Sequence, residues 1–128
     1  MNKFFLCATV ALAFVPLSQA AWVSVATTQD AQIFHDDALS KEGDRVTVWR
    51  LTNFAKPLTN LEGKEILSEK SRTTVDCATR KMANSQVMRF SGKDASGEVL
   101  NQYETPLRFT TVAAGSADAE LMQKLCTP

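Results

Sequence analysis

The chain has a single histidine, and two carboxylates follow it at once in His35-Asp36-Asp37. Imidazole beside aspartate is the pairing that general-base catalysis and metal ligation both use. A closed metal site needs three or four ligands, and no second histidine exists to supply one. Asp-Asp ahead of Ala38-Leu39-Ser40 reads more simply as turn and cap chemistry. No serine stands in a Gly-x-Ser-x-Gly or Ser-x-x-Lys arrangement. Gly92-Lys93 lacks the upstream glycine of a phosphate-binding loop, and Gly115-Ser116 fits a helix entry. The reading assigns no catalytic residue, no metal and no cofactor, and the expected activity is non-enzymatic.

Sulfur chemistry is more informative. The three cysteines are Cys7, Cys77 and Cys126. Lys3, the apolar run from Phe4 to Val15 and the small residues of Ser18-Gln19-Ala20 have the layout of a secretory signal peptide cleaved after Ala20. Pro16 and the polar residues behind it come too early for a membrane span, which needs about 20 apolar residues. Cys7 lies within the apolar run, without the flanking residues of a lipid-attachment signal, so no lipidation is expected. Cleavage leaves Cys77 and Cys126 as the only pair, and an exported chain with two cysteines is expected to join them. A bridge closing about 50 residues stabilises by roughly 4 kcal/mol in the chain-entropy model.

Charge gives the third candidate. Lys70, Arg72, Arg80, Lys81 and Arg89 fall in one hairpin-like region and form a candidate basic patch for acidic segments of a protein partner. Glu65, Glu69 and Asp76 are interspersed with them, and an ordinary solvated face is the plainer account. Trp22 and Trp49 read as core rather than as binding anchors. The whole chain has 14 basic and 14 acidic residues; loss of Lys3 leaves it near neutral, which argues against nucleic acid as the partner.

These residues must be positioned by a small sheet. Trp22 to Ala26 and Gln32 to His35 read as two short strands, with Asp36 to Ser40 a polar connection holding a single helical turn. Gly43-Asp44 turns the chain into Arg45 to Phe54, rich in Val, Thr, Trp and Phe and apolar on both faces, the expected central strand. Pro57 and Gly63 mark Ala55 to Lys64 as an exposed loop. Ile66 to Thr79 is a long strand whose polar first half is expected to face solvent or a partner. Met82 to Ser91, a turn at Gly92 to Gly97, and Glu98 to Tyr103 complete a meander. Leu107 to Phe109 is a short extended piece. Ser116 caps a last helix with Asp118 and Glu120 in its first turn, and Leu121, Met122, Leu125 and Cys126 share one stripe. The expected fold is α+β: an antiparallel sheet of about five to six strands, with a C-terminal helix packed on it and tied by the disulfide. Residues 1–20 are the expected signal peptide and 21–128 a single domain.

The ordered set Trp22-Val23, Ile33-Phe34, Gly43-Asp44 leading to Val46-Thr47-Val48-Trp49, Ser71 before Asp76-Cys77, and Gly115-Ser116 running through Leu121 to Cys126 resembles the bacterial surface-adhesin E family. Phe109 and Ala114 stand where that family usually has tryptophan and proline. The resemblance implies the same sheet, helix and Cys77–Cys126 bridge. It also implies an exported binding protein of the periplasm, outer surface or medium, whose partners are host extracellular-matrix or serum proteins. The alternatives left open are a periplasmic inhibitor of an enzyme such as a lysozyme, and a periplasmic protein of another role.

Overall fold

The computed structural model describes residues 21–127. The expectations for residues 1–20, the signal peptide and Cys7 among them, lie outside the described residues. Eight strands precede one helix: β1 (Trp22–Thr27), β2 (Ala31–Asp36), β3 (Ser40–Glu42), β4 (Arg45–Thr59), β5 (Glu65–Asp76), β6 (Lys81–Phe90), β7 (Val99–Glu104), β8 (Thr110–Thr111) and α1 (Ala117–Cys126). All pairings are antiparallel, in the order β1-β2-β4-β5-β6-β7, with β3 paired to β4 and β8 to β6. The α+β architecture is the expected one, with six strands across the main sheet and two short ones added.

Two expectations fail on local structure. Asp36 to Ser40 holds no helical turn; the chain stays open and pairs β3 with β4 through a hairpin at Gly43, whose φ of 60° suits glycine. Ala55 to Lys64 is not a loop throughout. β4 continues to Thr59, and its register against β5 slips between Asn53 and Leu58. Pro57 sits inside that slip, where its missing N–H interrupts no ladder bond. Only residues 60–64 turn, organised by Asn60, whose Oδ1 accepts from the N–H groups of Glu62 and Lys64.

One face of the sheet carries α1. Val46 and Val48 of β4, Val75 of β5, Ile33 of β2 and Met82 of β6 pack with Leu121, Met122 and Leu125 of the helix. A bulge at Val25 between Ser24 and Ala26 brings that side chain into the same core. Ser116 caps the helix by accepting from Ala119 N–H at 3.1 Å, and Lys124 closes its last turn by donating to Ser24 O. The Cys77–Cys126 disulfide, with Cα atoms 5.6 Å apart, ties the helix end to the β5–β6 turn. Arg50 of β4 donates to the Asp118 carboxylate and holds the other end of α1.

The expectation that the polar first half of β5 faces solvent or a partner holds only in part: Lys70 and Arg72 stay half-buried on the face without a helix, and the small polar residues turn inward. Ser68, Ser71, Thr73 and Thr74 are all buried, and each has been given a partner. Ser68 Oγ donates to Gly92 O and accepts from Ala95 N–H. Asn53 and Asp94 exchange two hydrogen bonds at 2.7 and 2.9 Å. The 91–97 turn is thereby folded over the sheet face opposite α1, where Leu51, Ile66 and Phe90 are buried. Thr73 donates to Asn84 Oδ1, and Thr74 bonds to Thr47.

Candidate functional site: the open face of the sheet

Strand alternation sorts the candidate residues by face. Because Val46, Val48 and Val75 face α1, their neighbours Thr47, Trp49, Leu51, Lys70, Arg72 and Thr74 face the other way. The register sets these in two cross-strand rows. One runs Trp22, Asp36, Trp49, Arg72, Gln86, Glu104, and the next Ser24, Phe34, Leu51, Lys70, Met88, Gln102. No helix covers these rows, and most of their side chains are half-buried against one another.

Two cations dominate the centre. Lys70 Nζ lies 4.7 Å from the centre of the Trp49 ring and 6.0 Å from that of Trp22. Arg72 Cζ lies 5.5 Å from the Trp49 centre. Among the described residues no carboxylate reaches either cation within ion-pair distance. The indole faces hold these two charges through their quadrupoles, and the charge stays available to a partner. Asp36, in the same row, is buried and accepts from Trp49 N–H at 2.9 Å.

The other candidate cations are dispersed. Lys81 shares the open face but lies at its far end, opposite Asp76. Arg89 is on the helix face, paired with Glu69 at 3.0 Å and set over Tyr103. Arg80 occupies the β5–β6 turn at φ 56° and lines a depression with Gly115, Glu120 and Gln123 beside α1. The structure brings Lys70 and Arg72 together and separates the remaining three from them. Trp22 and Trp49, read as core, instead form the floor beneath these cations and belong to neither buried cluster. The alternation of Arg45 to Phe54 held the missed signal: Trp49 is out of phase with Val46 and Val48, so it could not share their core.

The candidate dyad is divided by the same alternation. His35 pairs across to Val23 and Arg50 on the helix face, with Nδ1 at 2.6 Å from Asp36 O. The Asp36 carboxylate points to the opposite face. Asp37 is exposed, and among the described residues no three His, Cys, Asp or Glu side chains gather as a metal site. A cavity of about 640 Å³ lies between β6, the 105–113 segment and the start of α1. Three of its polar side chains are committed to the fold. Ser116 caps the helix, Asp118 receives Arg50, and Thr105 Oγ1 donates to Asn84 O.

Sheet, helix, bridge and open face all fall within residues 22–127, and that stretch matches the family model described as Surface-adhesin protein E. The chain belongs to that family. No curated protein matches it in sequence. The family's description is that of a surface adhesin, which points to an exported protein with a binding partner. No helix among the described residues is long and apolar enough to cross a membrane.

Proposed function

We propose that this chain is an exported, non-enzymatic binding protein of the adhesin E type that holds the acidic surface of a protein partner on its open sheet face. Residues 1–20 act as the removable signal, and 21–128 as the binding domain. The observation that carries the reading is the pair Lys70 and Arg72, stacked on Trp49 with no carboxylate beside them among the described residues. Aromatic side chains and arginine are what protein interfaces concentrate at their centres. Host extracellular-matrix or serum proteins are the partners proposed. Immobilised vitronectin, laminin and plasminogen test this with the mature chain: saturable binding that weakens with salt and drops in the Lys70→Gln/Arg72→Gln variant is expected. Retention of full binding by that variant would remove the open face from the mechanism.

A second reading has its own observation. Leu61 is fully exposed at the tip of the 60–64 turn, which the Lys64–Glu98 pair braces at 3.4 Å. A projecting apolar tip is the shape an enzyme inhibitor inserts into a cleft. Lysozyme inhibition by the mature chain, abolished in Leu61→Asp, distinguishes this from adhesion.

A further inference from the structure

We propose that the open face takes an acidic polysaccharide, sulfated or uronate-bearing, so that the contact with a partner runs through its sugar chains. This rests on the binding reading above and specifies the chemistry of the occupant. The first argument is position. Lys70 and Arg72 lie on β5, which is paired on both sides along this stretch. Peptides bind sheets by adding a strand to a free edge or by seating side chains in pockets. Neither is offered at Lys70 and Arg72: the edges are β1 and β7, and the depression beside them, along Gln86, Met88, Gln102 and Glu104, holds about 130 Å³. That is well below the roughly 300 Å³ at which small-molecule pockets begin. A flat, charged surface suits a chain lying across it.

The second argument is the inventory of groups. Lys70 and Arg72 supply unneutralised charge for sulfate or carboxylate, Arg72 with a planar guanidinium able to bond two oxygens at once. Further along the rows stand Gln86 and Gln102, whose amides both donate and accept, and Glu104, which accepts from Gln86 Nε2 at 3.4 Å. Sugar hydroxyls need donors and acceptors together, and the two amides present both. Trp22, half-buried at the end of the Arg72 row, offers apolar ring surface to the C–H face of a pyranose, and Trp49 lies beneath the two cations.

The test uses heparin, hyaluronate and neutral dextran against the full mature chain, read by Trp fluorescence and by direct binding. Heparin carries sulfate and carboxylate, and hyaluronate carboxylate only. Saturable binding of at least one acidic polymer, with none of dextran, is expected. Lys70→Gln/Arg72→Gln should weaken it by about tenfold or more, the scale of a central interface contact. Lys41→Gln/Lys56→Gln, which removes the same charge at exposed sites elsewhere, should leave it unchanged. Equal loss in the two double variants would overturn the site, because net charge alone would then explain binding. If heparin and hyaluronate fail to bind while a host glycoprotein binds through Lys70 and Arg72, before and after its acidic glycans are removed, the polysaccharide is overturned and the protein-binding reading stands. Absence of all binding overturns both.

Discussion

Asp76 shows how single side chains hold the turns of this sheet. Its Oδ1 accepts from the N–H groups of Ala78 and Thr79, both at 3.1 Å. The Thr79 N–H is the main cause that holds the carboxyl below its ordinary value of 3.8; burial opposes it, and Ala78, the Thr79 hydroxyl and Arg45 reinforce it. A lowered folded-state pKa contributes stability that is present above the unfolded value and is lost as pH falls through the folded one. Asp76→Asn is therefore expected to be less stable than wild type at pH 7, the gap closing as both approach pH 2, with thermal melts along the pH series as the measurement. Ser68 gives a second residue-scale test. Ser68→Ala removes the acceptor for Ala95 N–H and the donor to Gly92 O at a fully buried site, and should cost about 1–3 kcal/mol. If Ser68→Ala is neutral in urea denaturation, the 91–97 turn is not held by that hydroxyl. Ser68, Ser71, Thr73 and Thr74 were misread from sequence for a physical reason. Polarity alone says that a side chain needs hydrogen bonds, and the partners here, at positions 47, 84, 92 and 95, come from other strands and turns.

At the scale of elements, the signals that carried through were those complete within a short stretch. The cap at Ser116, the stripe of Leu121, Met122 and Leu125, the alternation of β4 and the glycine of the β3–β4 turn each contain their own physics. The disulfide followed from counting two cysteines in an exported chain. What was not legible depended on a neighbour: β3 exists because β4 offers it an edge, and β4 outruns Pro57 because a register slip against β5 absorbs the imino acid. The helix is held at three points, by Cys126, by the Ser116 cap and by the Arg50–Asp118 pair. Reduction, or Cys77→Ser with Cys126→Ser, is expected to lower stability by roughly 4 kcal/mol for a bridge spanning 49 positions. A double variant that unfolds at wild-type urea concentration would show that the bridge contributes little. Ser116→Ala should cost about 1 kcal/mol, visible as a smaller shift of the same curve.

On the scale of the whole molecule, the sheet divides its labour between two faces, and the sequence showed the division only in part. The helix face holds the apolar core beneath α1. The open face is aromatic and cationic, built from residues whose types suggested core for Trp49 and a diffuse patch for Lys70 and Arg72; only the register places them in the same rows. If that division is real, stability and binding should separate under mutation. Leu121→Ala, at a fully buried position under the helix, is expected to cost about 2–5 kcal/mol. For a domain of this size each kcal/mol lowers Tm by about 4–8 °C, so the loss should be plain in a thermal melt, while partner binding measured well below Tm stays intact. Lys70→Gln/Arg72→Gln removes three cation–π contacts, worth roughly 0.5–1 kcal/mol each, and should lower Tm less than Leu121→Ala while abolishing most binding. The reverse pattern, binding lost with Leu121 and kept without Lys70 and Arg72, would place the functional surface on the helix side, around the 640 Å³ cavity beside Ser116.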